Sequence, residues 1–192
     1  MFTSSGLQPY GFVSNSWSTQ FTVNGVTVPE NGTVAFFSGV HNDGNTGLWM
    51  TLGASDNTKQ IDVENGQDNL YPYNLTIFNN KLYFTGYDNN GADGGRGLFV
   101  YDPMATPNKA TQVFSSSAAS VEPTNPINAW GSLSPITMAA FNNDLYFNAS
   151  SSQTNGVPGL FRANLDSQGN ANPTQVVSLG ATNGPWSLTP TD

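Results

Sequence analysis

Two stretches of the chain carry the same pattern and decide the fold. They read Thr76-Ile77-Phe78-Asn79-Asn80-Lys81-Leu82-Tyr83-Phe84-Thr85 and Met138-Ala139-Ala140-Phe141-Asn142-Asn143-Asp144-Leu145-Tyr146-Phe147-Asn148. Each is followed by a loop-forming stretch, then by Gly-Leu-Phe, and then by Thr-Gln-Val. Three landmarks in one order indicate an internal repeat, which has to be recognised before a fold is assigned.

The rest of the sequence contains two further copies of the pattern. A looser copy has its landmarks at Ala35-Phe36-Phe37-Ser38-Gly39, Gly47-Leu48-Trp49 and Lys59-Gln60-Ile61. Another has its landmarks at Met1-Phe2-Thr3-Ser4, Tyr10-Gly11-Phe12-Val13 and Thr19-Gln20-Phe21. The element that precedes the first landmark in the other copies is absent at this end of the chain. A segment that resembles it, Trp186-Ser187-Leu188-Thr189-Pro190, lies at the other end. Four copies share the 192 residues, which gives 48 residues per repeat.

Each landmark has the composition of a β-strand, since it is rich in Val, Ile, Tyr, Phe, Leu and Thr and is bounded by turn-forming residues. A repeat therefore contains four strands, A to D, which in one copy lie around residues 76–78, 82–85, 97–101 and 110–114. Asn79-Asn80, Asn142-Asn143 and Asn31-Gly32 predict tight A to B hairpins, because Asn and Gly tolerate the positive φ of a type I′ turn. With 12 Pro and 20 Gly, no stretch sustains helical spacing.

Four-stranded repeats of this length predict an all-β fold, specifically a four-bladed β-propeller with four antiparallel strands per blade. We expect one domain over residues 1–192, with blades at residues 186–192 plus 1–24, 25–64, 70–115 and 130–180. Strand A at the C-terminus and strands B to D at the N-terminus indicate that the C-terminal strand joins the N-terminal blade and closes the ring, which leaves no open edge. A β-sandwich is the alternative, but it does not explain the fourfold register.

One part of the repeat resembles a known family. Leu82-Tyr83-Phe84-Thr85 and Gly97-Leu98-Phe99-Val100-Tyr101-Asp102 are similar to the bacterial secreted propeller repeat, written Asn-x-Leu-Tyr-Phe-x-Ala, then a loop, then Gly-x-Glu-Leu-Trp-x-x-Asp-Gly-Thr. The similarity is strongest in residues 74–102 and 137–161, and the acidic residue before Leu-Trp is absent here. The resemblance implies a propeller fold and an exported setting, and no particular activity.

Composition limits the classes of partner. With 13 acidic and 5 basic residues the net charge is −8, so no basic surface exists for nucleic acid or for anionic lipid. No apolar run approaches the ~20 residues that span a bilayer, so we expect no membrane insertion. Scarce Lys and abundant Asn, Thr, Ser and Gly suggest a bacterial protein that is extracellular or at the cell surface. Without Cys there is no disulfide and no thiolate nucleophile.

A metal site has one candidate location. Calcium prefers several oxygen ligands from closely spaced Asp and Asn, and the best candidates are Asp88, Asn90 and Asp93 between strands B and C. The segment does not fit the twelve-residue calcium loop, and Arg96 lies next to it. We therefore expect no cofactor, with Ca²⁺ as the alternative.

Covalent modification and catalysis have few candidate residues. Asn31, Asn74 and Asn148 begin triplets of the N-glycosylation pattern. Glycoside hydrolysis needs only two carboxylates at a defined separation, but most of the acids occupy turn-like positions such as Asp43-Gly44 and Asp93-Gly94. The sequence therefore predicts that the protein is not an enzyme, and a glycoside hydrolase is the remote alternative.

The aromatic residues divide into two groups. Equivalent positions in strands B and C are predicted to be core, and these are Phe37, Phe84, Phe147, Trp49, Phe99 and Phe161. Tyr73, Trp130 and Trp186 instead precede strand A, where they would lie on one face of the ring. Exposed Trp and Tyr stack on sugars and dominate protein contacts, so these three are the candidate contacts with a ligand or partner, unless they pack between blades.

These observations predict a non-enzymatic, extracellular structural or adhesive module. A polar surface with few charges allows like copies to pack closely, so we expect copies of the chain itself, or other surface proteins, as partners in a surface layer or filament. The alternative is a lectin-like propeller that binds glycans through Tyr73, Trp130 and Trp186.

Overall fold

The computed structural model describes residues 10–40, 44–63, 70–87, 96–105, 109–115, 121–122, 138–151, 157–167 and 174–178. Every regular element in these ranges is a β-strand, so the prediction of an all-β fold is confirmed. In chain order the strands are β1 (Tyr10–Ser16), β2 (Phe21–Val23), β3 (Val26–Val28), β4 (Thr33–Val40), β5 (Thr46–Thr51), β6 (Thr58–Gln60), β7 (Tyr73–Phe78), β8 (Lys81–Tyr87), β9 (Arg96–Tyr101), β10 (Ala110–Ser115), β11 (Val121–Glu122), β12 (Met138–Phe141), β13 (Asp144–Ser151), β14 (Val157–Arg162) and β15 (Thr174–Ser178).

The strands form three broad antiparallel sheets and one short hairpin. The first sheet has the order β1-β4-β5-β6, and the second has the order β7-β8-β9-β10. The third has the order β11-β13-β14-β15, and β12 also pairs with β13. The hairpin consists of β2 and β3. One parallel bridge joins Val63, in the segment after β6, to Ala110, the first residue of β10.

The three sheets share one register between their second and third long strands. Phe37 lies opposite Trp49, Phe84 opposite Phe99, and Phe147 opposite Phe161. In the second and third sheets these paired rings stack, with centroids 5.4 Å and 6.0 Å apart. The positions predicted to be equivalent therefore face each other, and five of the six residues are buried while Trp49 is half-buried.

The second sheet is buried on both faces. Leu82 and Phe84 of β8 belong to the core shared with the first sheet, whereas Tyr83 belongs to the core shared with the third. Successive side chains of a strand point to opposite faces, so a strand buried on both faces has an uninterrupted apolar run. This explains why Leu82-Tyr83-Phe84 shows no alternation of apolar and polar residues.

The predicted hairpin turns are confirmed at two of three positions. Asn79 and Asn80 have φ values of 49° and 57°, and the residues on either side of this turn pair, as expected for a type I′ turn. Asn142 and Asn143 also have positive φ values, and the residues on either side of their turn also pair. The prediction for Asn31-Gly32 is wrong, because this turn joins β3 to β4, which do not pair with each other.

The N-terminal assignment is also wrong. The sequence predicts residues 10–13 as strand C and Thr19-Gln20-Phe21 as strand D of a blade that ends at residue 24. In the structure β1 pairs with β4 and so occupies the strand A position of the next sheet, while Phe21 begins β2. The reason is that β2 is tied to β3 by the Asn24-Gly25 turn, whose φ values are 45° and 82°, so β1 is left as the partner for β4.

The described strands do not form a closed barrel or a complete propeller ring. The segment expected to close the ring, residues 186–192, lies outside the described residues, as do residues 1–9. The four-bladed ring and the blade boundaries therefore stay predictions.

Candidate functional site

A cavity of about 240 Å³ lies between the second and third sheets. The second sheet contributes the turn and start of its first hairpin, and the third sheet contributes the matching turn together with the segment that follows β14. The lining residues are Phe78, Asn79, Lys81, Tyr83, Asn143, Asp144, Leu145, Leu165, Asp166 and Ser167. We call this space the inter-sheet cavity.

Apolar side chains form one part of its wall. Phe78 and Leu145 are buried, and Leu165 packs against the same core cluster. Phe78 also meets the Tyr83 ring edge-on, with centroids 6.3 Å apart. The cavity therefore has an apolar wall that is held in place by the core between the two sheets.

Charged groups at the cavity are arranged in opposite pairs. Lys81 Nζ lies 3.1 Å from Asp102 Oδ2, and Arg162 Nε lies 3.0 Å from Asp144 Oδ1. Lys81 and Asp144 occupy the same position, directly after the Asn-Asn turn, in their two hairpins. Because each is neutralised by a neighbour, neither contributes a strong net charge to the cavity.

Tyr83 supplies a phenol that stays protonated. Its side chain is 1% exposed. Burial, together with the carboxylates of Asp102 and Asp166, raises the pKa of Tyr83 to about 12, because burial and nearby negative charge both disfavour the phenolate. At neutral pH this group is a neutral hydrogen-bond donor and acceptor.

The corresponding place between the first and second sheets is filled by Trp17. Its ring meets Phe36 edge-on at 5.7 Å, and its Nε1 donates to the Asn80 carbonyl oxygen at 3.0 Å. In the shared register Phe36 corresponds to Tyr83, and Asn80 corresponds to Asn143 as the second residue of the hairpin turn. Both counterparts line the inter-sheet cavity.

Of the three aromatic contacts predicted from the sequence, Tyr73 is the one that can be placed. It is the first residue of β7, opposite Thr85, and it is half-buried. It does not line the inter-sheet cavity. Trp130 and Trp186 lie outside the described residues.

The candidate calcium ligands Asp88, Asn90 and Asp93 also lie outside the described residues. Elsewhere in the chain, over the ranges that are described, no three His, Asp or Glu side chains come together as a metal site would require.

The three glycosylation triplets have different surroundings. Asn31 is exposed in a turn. The Asn74 side chain is half-buried and its Nδ2 donates to Thr85 Oγ1 at 3.2 Å. Asn148 is half-buried in β13, opposite Leu160. Asn31 is therefore the most accessible acceptor of the three.

The inter-sheet cavity is not predicted from the sequence, because each of its residues has a simpler interpretation. Asn79 and Asn143 are read as turn residues, and Tyr83 is read as core. A signal is nevertheless present, since a charged residue follows the Asn-Asn turn in both copies, as Lys81 and Asp144. Matching charged positions at one end of adjacent sheets indicate a shared polar surface.

In the described part of the chain there is no helix of the length and apolarity needed to cross a membrane. Comparison with protein-family models, with curated proteins and with solved structures finds no match to this chain.

Proposed function

We propose that the chain is a non-enzymatic structural or adhesive module of the extracellular surface, built as a β-propeller, whose copies assemble with one another. Two observations support the propeller arrangement. The strand A positions lie side by side, because β7 contacts both β1 and β12. The second sheet is also packed face to face between its neighbours, as a propeller blade is.

The observation that carries the assembly proposal is the aromatic surface on the two outer sheet faces. In the first sheet Phe36 contacts Tyr101 of the second sheet, so Phe37 points away from the second sheet. Phe12 stacks on Phe37 at 5.2 Å and is 60% exposed. This is the first outer face.

The second outer face belongs to the third sheet. Phe147 lies in the core shared with the second sheet, so its neighbour Tyr146 points away from that core. Phe141 contacts Tyr146 at 6.4 Å and is 48% exposed. In a closed ring the fourth blade predicted by the repeat count would lie between these two faces, so the faces are available for assembly when that blade is completed by a neighbouring copy.

Two different aromatic faces at opposite ends of a row of sheets suit head-to-tail assembly. Such a contact is heterologous, and it produces filaments when it does not close into a ring. Exposed aromatic surface favours association because burying it removes apolar area from water. We therefore propose that the first outer face of one copy is joined to the second outer face of the next, in a surface layer or filament.

Sedimentation velocity over a range of protein concentrations tests this proposal. We expect the unchanged protein to self-associate, and we expect Phe12→Ser and Phe141→Ser each to shift the population toward monomer. Met104→Ser is the matched control, since Met104 is 45% exposed but lies in the turn after β9, away from both faces. A protein that is monomeric throughout, or equal effects of all three substitutions, would contradict the proposal.

Carbohydrate binding through Tyr73, Trp130 and Trp186 is less well supported. A sugar-stacking platform needs an open aromatic face, whereas Tyr73 is half-buried beside β8. The polar groups that could bind a sugar lie elsewhere.

A further inference from the structure

We propose that the inter-sheet cavity binds one neutral pyranose ring, a single sugar residue of a glycan. This inference is independent of the proposed self-assembly, which uses the outer faces of the first and third sheets.

The size of the ligand follows from Trp17. At the first sheet boundary one planar side chain fills the place between Phe36 and the Asn80 turn. At the second boundary the same place, between Tyr83 and the Asn143 turn, is a cavity of about 240 Å³. A pyranose ring is close to an indole in size, so the cavity has room for a single ring.

The chemistry of the ligand follows from the residues that differ between the two boundaries. When positions are counted from Phe37 in β4 and from Phe84 in β8, Val34 is equivalent to Lys81 and Phe36 is equivalent to Tyr83. When positions are counted from Phe99 in β9 and from Phe161 in β14, Met104 and Ala105 are equivalent to Asp166 and Ser167. Four positions that are apolar in the preceding copies are thus hydrogen-bonding positions at the cavity. The hydroxyl groups of a ligand can form hydrogen bonds with these groups, whereas a hydrocarbon or aromatic ligand cannot.

The mixture of groups favours hydroxyls over ions. Hydroxyl groups both donate and accept, and the cavity offers the ammonium and phenol of Lys81 and Tyr83 beside the carboxylates of Asp144 and Asp166. Lys81 is paired with Asp102 and Asp144 with Arg162, so an anion finds no uncompensated positive charge at Lys81 and a cation finds no uncompensated negative charge at Asp144. The apolar wall formed by Phe78, Leu145 and Leu165 suits the C–H face of a sugar ring.

The first measurement is ligand-observed saturation-transfer NMR with four neutral methyl glycosides, of mannose, galactose, glucose and N-acetylglucosamine. Isothermal titration calorimetry of the best binder then gives its affinity. We expect saturable binding of at least one glycoside, with a dissociation constant on the order of 1 mM, as befits a ligand of this size.

A blocking substitution locates the site. Ser167 is exposed at the cavity mouth, so Ser167→Trp should fill the cavity and abolish binding. Ser55→Trp is the matched control, because it makes the same change at an exposed position in the turn between β5 and β6, outside the cavity, and it should leave binding unchanged.

A change of charge without a change of size provides the second test. Asp166→Asn should weaken binding by roughly tenfold, since hydrogen bonds to a charged group are the stronger kind. Asp56→Asn makes the same chemical change at an exposed position in the turn between β5 and β6 and should leave binding unchanged. If circular dichroism shows that Ser167→Trp does not fold, the comparison of Asp166→Asn with Asp56→Asn locates the binding site instead.

Three results would overturn the proposal. One is the absence of saturable binding by all four glycosides at about 10 mM. Another is binding that survives both Ser167→Trp and Asp166→Asn. The third is saturable binding of indole in place of the sugars, which would show that the cavity accepts an aromatic side chain like Trp17.

Discussion

Phe36 and Tyr83 occupy the same place in β4 and β8 and differ by one hydroxyl group. Phe36 meets the Trp17 ring in an apolar boundary, whereas Tyr83 lines a cavity together with Asp166 and Lys81. A buried hydroxyl group has to be hydrogen-bonded or it destabilises the fold. The extra oxygen is therefore consistent with the polar lining of the second boundary, and it gives that boundary a chemistry that the first does not have.

Alkaline pH should test the surroundings of Tyr83. Its pKa in the folded protein, about 12, lies above the value of 10.0 that is ordinary for an exposed tyrosine. Between these values the unfolded chain loses the phenol proton while the folded chain keeps it, so stability is complete below pH 10 and falls as the pH rises toward 12. The loss is roughly 2 to 3 kcal/mol, since each unit of pKa difference contributes about 1.4 kcal/mol.

Chemical denaturation at pH 9 and at pH 11.5 measures this loss. Tyr83→Phe should show a smaller fall in the free energy of unfolding than the unchanged protein. The control is Tyr71→Phe, because the Tyr71 side chain is 39% exposed and lies outside the cavity. If the unchanged protein and Tyr83→Phe lose the same stability between the two pH values, the Tyr83 environment described here is wrong.

At the scale of single elements, the hairpin turns fix how the first two strands pair in the second and third sheets. Type I′ turns require positive φ at both central residues, and Asn and Gly supply it at Asn24-Gly25, Asn79-Asn80 and Asn142-Asn143. A two-residue turn fixes which residues of the two strands face each other. The turns therefore set the positions of Tyr83 and Leu145, which line the cavity.

Asn80 provides a test of this role. Its φ is 57° and its side chain is exposed. Asn80→Ala should destabilise the fold by roughly 1 kcal/mol because a Cβ without a polar group disfavours the left-handed region, whereas Asn80→Gly should be close to neutral. Urea denaturation of the two variants measures the difference. Equal stabilities would mean that the turn conformation does not limit stability.

The sequence predicts most of the second and third sheets because their landmarks, turns and buried aromatics agree. It does not predict β1 correctly, because Tyr10-Gly11-Phe12 resembles Gly-Leu-Phe in residue type while its pairing with β4 depends on a hairpin inserted between them. The Asn24-Gly25 turn between Val23 and Val26 is the local signal for that hairpin. The cavity depends on how two sheets face each other, which strand patterns within one sheet do not determine.

At the scale of the whole molecule, the three described sheets form three parts of the proposed four-bladed ring. The row of inner strands runs from β1 through β7 to β12, and a ring requires one more blade between the third sheet and the first. The pairing of β1 with β4 removes residues 10–16 from that blade. The proposed closure therefore depends on the two ends of the chain.

Deletion of residues 184–192 tests closure directly. If this segment supplies a strand of the fourth blade, its removal exposes a sheet edge, so we expect the Tm to fall by about 5 °C or more. Deletion of residues 190–192, which keeps Trp186-Ser187-Leu188, is the control and should leave the Tm nearly unchanged.

Sedimentation velocity of the longer deletion then distinguishes two kinds of closure. Increased association means that the segment closes its own ring, and decreased association means that it completes the blade of a neighbouring copy. An unchanged Tm would show that the segment closes neither.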